Sequence, residues 1–408
     1  MTNQKKILFL GFYISPEEMN EIIRDDRFPS IQTFNFTTKL IKSMSSKFLL
    51  SCISAKAVSD YPTNNRIFYT KKKYIIKSKD KDIPVTEIPF INISLFKLVT
   101  RFLFAFFFIT RKLLSTQSKE RIDYFVVYSV HVPYLLIGVL VKKIFKIETI
   151  GVWTDPPSVS SPIDSFFKKS LRKLELTLSK HLMKRFEKVI VLSKYLATDF
   201  APSSKFTVIE SIYDNIKQQD SNNSSMMQNQ TDYQTVAYFG STSIKYGIKN
   251  IVESFELIED INIQLHIYGT GDFADELKKI SDLKGNIIYH GLIDPKLVRV
   301  EMVKHNFLIN ARSANDLYAR YSFPSKVTEY MDSGVPLITT VLPGMPEEYK
   351  KHIIMLDNNN PSTIALKIRE SIMMSVEQRK DLATKAQIFI RKKDTNHVAE
   401  LIEQLLKS

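Results

Sequence analysis

The sequence predicts an α/β protein built from two doubly wound domains. Three observations carry this. Short apolar strands alternate with helical stretches in the first half, a polar run interrupts the pattern at Gln218 to Gln234, and the alternation then restarts. Strand–helix alternation of this kind gives a mainly parallel sheet covered on both faces.

Lys6-Ile7-Leu8-Phe9-Leu10-Gly11 reads as a first buried strand ending in a turn, because consecutive apolar residues suit a strand covered on both sides. Phe48 to Ser54, Tyr124 to Tyr128, Glu148 to Trp153 and Val189 to Leu192 read the same way, with helices at Thr37 to Met44 and Tyr134 to Phe145. After the interruption, strands are expected at Thr235 to Phe239, Gln264 to Tyr268, Asn286 to Tyr289, Phe307 to Ile309, Pro336 to Thr339 and Ile353 to Leu356. A helix is expected from about Asn250 to Ile258. The expected organisation is an N-terminal Rossmann-like domain over 1–212, a polar linker or loop over 213–234, and a C-terminal Rossmann-like domain over 235–390. A final helix, 391–408, packs on either half, the first included. Ligands of such sheets bind at the carboxyl ends of the strands, so two facing halves imply a central cleft.

The 408 residues are 44% hydrophobic and 25% charged, the balance of an ordinary globular chain. The one cysteine, Cys52, rules out an intrachain disulfide and fits a reducing compartment. The polar start, Met1 to Lys6, lacks the apolar stretch of a signal peptide, and no apolar run is long enough to span a bilayer. A cytoplasmic location is therefore expected. The net charge of +14 suits nucleic acid, an anionic membrane surface or an anionic substrate. No zinc-ligand set, RNP motif or helix-turn-helix signature is present, which argues against nucleic acid.

Two segments point to the inner face of a membrane. Phe102 to Ile109 holds Phe102, Phe104, Phe106, Phe107 and Phe108 between Arg101 and Arg111, and reads either as a core helix or as a helix on lipid. Phe166 to Lys188 is a basic amphipathic helix with Phe167, Leu171, Leu174, Leu178 and Leu182 on one face. Lys168, Lys169, Arg172, Lys173, Lys180, Lys184, Arg185 and Lys188 crowd the remainder against Glu175 and Glu187. It reads as a solvated face or as a contact for anionic lipid.

The most informative stretch runs from Arg320 to Pro336. Pro324 suits the first turn of a helix, Ser322 is the expected N-cap, and Gly334 followed by Pro336 ends it. The exposed N–H groups at such a helix start bind anions. Glu329, about one and a half turns in, offers a carboxylate that accepts two hydroxyl hydrogen bonds, as from a ribose.

This stretch, with Phe323-Pro324-Ser325-Lys326 before Glu329 and Pro343-Gly344-Met345-Pro346 after it, resembles the donor motif of the GT-B glycosyltransferases of family 4. It is closest to the bacterial branch with a Phe-Pro-Ser-Lys segment. Gly240 to Phe255, Ile267 to Leu277 and Ile287 to Ile293 resemble further parts of the family's donor domain. Gly11 to Phe36 and Asp123 to Pro157 match the acceptor domain more loosely.

The resemblance implies donor-binding roles for Gly11, Gly240, Lys245, Gly269, Gly291, Leu292, Ser325, Lys326 and Glu329. It implies catalytic roles for His131, Lys245 and Arg320. Tyr321 stands where the family has its first motif acid, and Ser241 where many members have arginine. Lys245 is one residue further from Gly247 than usual. Arg320, Lys326 or Arg312 then supplies the missing positive charge.

The implied activity is transfer of a sugar from a nucleotide-sugar to a glycan or lipid-linked acceptor, with retention, without a metal or other cofactor, in cell-surface polysaccharide synthesis. The alternatives are a nucleotide-sugar 2-epimerase and a non-catalytic partner subunit on the same architecture.

Overall fold

An uninterrupted apolar strand must be covered on both faces, and in the computed structural model Lys6–Phe12 becomes the central strand β1, with Ile7 to Leu10 fully buried. The structure describes residues 4–78, 81–115, 121–157, 166–214, 233–258, 260 and 262–408. The side chains of 166–169, 171 and 317 lie outside that set. The stretch read as a linker, 213–234, falls almost wholly outside it. The chain forms two compact units, Met1–Ile212 with Thr395–Ser408, and Tyr213–Asp394.

In the first unit, α1 (Pro16–Asp25) and α2 (Ile31–Lys47) lead to β2 (Leu49–Ala55). Four strands follow that the sequence did not suggest, β3 (Phe68–Tyr69), β4 (Lys72–Ile76), β5 (Ile83–Glu87) and β6 (Phe90–Ile91), of which β3 and β6 form a separate antiparallel pair. Then come α3 (Ser94–Ser115), β7 (Tyr124–Tyr128), α4 (Val132–Phe145), β8 (Glu148–Trp153), α5 (Phe166–Met183), β9 (Lys188–Val191), α6 (Lys194–Phe200) and β10 (Lys205–Val208). The main sheet has the order β10-β9-β8-β7-β1-β2-β5-β4 and is parallel except for β4 against β5. β1 pairs with both β2 and β7, so the strand order reverses between β1 and β7. That reversal opens a crevice at the carboxyl ends of these two strands. The strand runs one residue beyond Gly11, which pairs with Ser54 inside the sheet and does not begin the loop.

The second unit repeats the plan. Its elements are β11 (Gln234–Phe239), α7 (Ile248–Glu256), β12 (Ile263–Tyr268), α8 (Ala274–Leu283), β13 (Ile287–Gly291), α9 (Val298–Met302) and β14 (Phe307–Asn310). They continue with α10 (Ser325–Ser333), β15 (Leu337–Thr340), β16 (Ile354–Leu356), α11 (Pro361–Ile372) and α12 (Val376–Arg391). The sheet is wholly parallel in the order β13-β12-β11-β14-β15-β16, with its reversal between β11 and β14.

The last helix, α13 (Thr395–Lys407), belongs to the first unit. Val398, Ile402, Leu405 and Leu406 recur at helical spacing and join the core that holds Ile7, Phe9 and Leu40. Lys188 Nζ donates to the carbonyl of Leu406 at 2.7 Å, and Lys47 pairs with Glu403 at 2.5 Å.

Candidate active site at the strand ends

In the second unit the candidate residues gather where the strand order reverses. Gly240 follows β11 directly, Gly269 follows β12, and Gly291 ends β13. Backbone hydrogen bonds chain the three ends together: Gly240 N–H donates to Tyr268 O at 2.8 Å, and Gly269 N–H to Gly291 O at 2.7 Å. Leu292, just beyond, is exposed.

Two glycines are required by close approach. A Cβ on Gly240, at φ +142°, would fall 1.7 Å from Lys326 Nζ. A Cβ on Gly247, at φ +84°, would fall 2.0 Å from the carbonyl oxygen of Ala311. Both positions therefore favour the residue without a side chain. The first lets Lys326 lie along the backbone at the end of β11. The second presses the short helical turn Ile244–Tyr246 against the end of β14.

These contacts build a ring of positive charge. Lys326 Nζ donates to the Tyr238 hydroxyl at 3.1 Å and lies 4.6 Å from the centre of that ring. The Tyr246 ring has Lys245 at 5.0 Å, the Arg312 guanidinium at 5.7 Å and Lys326 at 5.8 Å. Cation–π attraction holds such groups together, yet three like charges around one ring need an anion to balance them. Asp316, 3.6 Å from Arg312, offsets one of them. Burial pushes the Lys326 ammonium down to about 8, with the Glu329 carboxylate opposing that shift. Of the alternatives for the missing charge, Lys326 and Arg312 join Lys245 in this cluster. Arg320 lies on the exposed surface, at the end of the turn Leu317–Arg320.

α10 starts beside the cluster. Its N-cap is Pro324, two residues later than the sequence suggested, with Ser325 as the first helical residue. Ser322 does not cap it: its hydroxyl donates back to Tyr318 O at 2.9 Å and closes the preceding turn. Gly334, at φ +83°, ends the helix as expected. Ser325 and Glu329 are both exposed. The buried Tyr330 fixes the helix, its hydroxyl accepting from Phe239 N–H and donating to Phe239 O, both at 2.7 Å. Tyr238, Tyr246 and Tyr330 are the site-forming residues that the sequence reading missed. Only a tyrosine hydroxyl facing the last strand residue reveals such roles, and that contact crosses the fold.

In the first unit, Gly11 lies near the end of β1 and His131 follows β7, the two strands that flank the other reversal. A Cβ on Gly11 would sit 3.0 Å from Tyr128 Cβ. His131 is the N-cap of α4, with its ring 5.4 Å from Phe12 and 4.8 Å from Tyr134. Its Nε2 is buried without a hydrogen-bond partner. Burial, and then the Arg101 and Lys97 charges, hold the imidazole well below its usual range, so it is neutral at pH 7. A neutral ring with one open nitrogen can exchange a hydrogen bond with a hydroxyl. Gly11 and His131 thus belong to the first unit, and the other candidates to the second.

Residues 221–407 match the family described as glycosyl transferases group 1. No curated protein sequence matches the chain. Among solved structures, OtsA in its apo form is similar at a TM-score of 0.66 and 10% identity, covering 98% of this chain and 99% of that one. Sucrose-phosphate synthase from Thermosynechococcus elongatus gives 0.63 and 13%, covering 99% and 98%. Anabaena HepE in complex with UDP gives 0.59 and 14%, covering 98% and 99%. At these identities the likeness speaks for the fold, and the family match speaks for the second unit. The chain thus has the two-domain fold of these enzymes, and residues 221–407 carry the glycosyl transferases group 1 match.

Proposed function

We propose that the chain moves a sugar from a nucleotide-sugar to a glycan or lipid-linked acceptor at the inner face of a membrane, in cell-surface polysaccharide synthesis. The single observation that carries the donor part is the cluster of Lys245, Arg312 and Lys326 around Tyr246, beside the start of α10. It has the charge and the N–H groups to hold a diphosphate, and the exposed Glu329 can take a ribose. HepE, a structural relative, has been solved with UDP and with UDP-glucose, which supports the same ligand class here. The Phe-Pro-Ser-Lys segment supports placement in the family 4 branch.

The proposed reaction retains configuration and takes its electrostatic help from side chains, without a metal. The acceptor oxygen bonds to the anomeric carbon on the face from which the diphosphate leaves. The bond from that carbon to the phosphate oxygen breaks, and the departing diphosphate takes the acceptor's hydroxyl proton. Lys245, Lys326 and Arg312 stabilise the charge that grows on the leaving group. Arg320 is a further candidate for this role. Neutral His131 is proposed to hold a hydroxyl of the transferring sugar.

The test is incubation of the full chain with UDP-glucose and other nucleotide-sugars, with and without lipid-linked glycan. Acceptor-dependent release of nucleoside diphosphate, with the donor's anomeric configuration kept in the product, is expected. No release and no nucleotide binding would sink the reading. Conversion of the donor to its C2 epimer, without net release of nucleoside diphosphate, would favour the epimerase. Membrane fractionation tests the location.

A further inference from the structure

The first two charges of α3 face the wrong way for a helix in water, while Arg111 near its end is exposed. Lys97 and Arg101, one turn apart, point into the protein. Lys97 Nζ donates to Val58 O at 2.5 Å and pairs with Asp60 at 2.8 Å. Arg101 donates to Lys56 O at 2.6 Å, with its guanidinium 4.4 Å from the Phe90 ring. Ala105 and Ile109 continue this buried line.

The opposite line is apolar and open. Phe96 is 61% exposed, Leu103 56%, Phe107 53% and Leu114 76%, with Val99 and Phe104 beside them. A surface helix ordinarily turns its apolar stripe inward and its charges outward. Exposed apolar patches of this kind mark a surface that something covers.

The surroundings say what covers it. α4 packs against α3, and α5 against α4. The only acid in these three helices is Glu175, while Lys143 of α4 and Lys173 and Lys180 of α5 are exposed, as is Lys184 just past α5. Lys71, just before β4, sits 4.8 Å over the Phe108 ring. A second copy on the same face would set one basic rim against another, at a cost in repulsion. An anionic bilayer satisfies both the apolar stripe and its rim. No helix among the described residues is long and apolar enough to cross a membrane, so α3 would lie in the plane of the interface.

We propose that the outward face of α3 is the part of the first unit that enters the headgroup–acyl boundary of an anionic bilayer, with the cations of α4 and α5 resting on the headgroups beside it. This rests on the membrane-surface part of the function proposed above and is independent of sugar transfer.

The experiment is co-sedimentation of the full chain with phosphatidylcholine vesicles and with vesicles in which about a third of the lipid is phosphatidylglycerol. The parent is expected to bind the anionic vesicles. The triple variant Phe96→Ser, Leu103→Ser, Phe107→Ser should lose at least about tenfold in partitioning. Its thermal unfolding should match the parent's, because these side chains face outward. The chain's one tryptophan, Trp153, is fully buried, so a lipid-dependent change in the emission of Leu103→Trp beyond that of the parent reports on α3. Its emission should shift to the blue on anionic vesicles and be quenched by brominated lipid. Equal binding by triple variant and parent, or an unshifted indole, overturns the proposal. If Lys173→Gln, Lys180→Gln, Lys184→Gln abolishes binding while the serine variant retains it, the membrane reading stands and the role of α3 falls. A parent that binds no vesicle defeats both. A parent dimer that the serine variant converts to monomer assigns the face to a second copy and also overturns the proposal.

Discussion

The hydroxyl of Tyr330 stands 2.7 Å from both the backbone nitrogen and the backbone oxygen of Phe239, so one side chain of α10 pairs both backbone groups of the last residue of β11. Gly240 is the next residue, and Lys326 lies one turn before Tyr330. The position of the cationic cluster therefore depends on this buried contact. Tyr330→Phe should cost about 1–3 kcal/mol of stability, because it leaves buried backbone groups unpaired. Chemical denaturation measures that loss. UDP affinity should fall as well, and unchanged affinity would mean that α10 is held by other contacts.

Lys326 gives a pH prediction. Its charge is disfavoured by burial, and its folded value is about 8. An anionic ligand binds the charged form, so UDP affinity should be full below that value and fall as pH rises through it. Stability without ligand should move the other way. The unfolded chain holds the proton up to the ordinary lysine value, so more protons are bound in the unfolded state and stability rises between about pH 8 and 10.5. Lys326→Met should abolish both trends. Persistence of the affinity trend in that variant would assign it to another group.

Glu329 is exposed on α10, so its removal should leave the fold intact. Glu329→Ala should weaken nucleoside diphosphate binding by about 1.5–3 kcal/mol, the range for hydrogen bonds to a charged group. Calorimetric titration with UDP measures it, and an unchanged constant would remove Glu329 from the site.

Asp332 joins three helices. Its carboxylate pairs with Arg299 of α9 and with Arg391 of α12 at 2.8 Å, and its carbonyl accepts from Gln387 at 2.8 Å. The carboxylate is buried, while both arginines are partly open to solvent. Asp332→Ala should therefore cost about 2–3 kcal/mol, below the cost of breaking a fully buried pair. Thermal unfolding with intact UDP binding at low temperature is the expected pattern.

Much of the two-unit plan was legible because its central strands, such as Ile7 to Leu10 and Val236 to Phe239, are apolar at consecutive positions. The strands from Phe68 to Ile91 were not legible, since they are short, mixed in polarity and lie at or beyond the sheet edge. The length of α3 was hidden by Lys97 and Arg101, because a charge in a sequence ordinarily marks a surface. At the site, Lys326 and Glu329 could be read from their spacing on one helix. Tyr246 could not, because its cations come from its own turn, from the end of β14 and from α10.

The helix α13 has a consequence for how the chain matures on the ribosome. The first unit holds residues 1–212, yet its core is closed by Val398, Ile402, Leu405 and Leu406. Domains that are continuous in sequence can complete themselves as they emerge. This one must wait, with part of its apolar interior uncovered, until the whole second unit has been synthesised. A nascent chain released before Thr395 would carry a finished second unit and an unfinished first one, and that open seam is where chaperones and proteases would act.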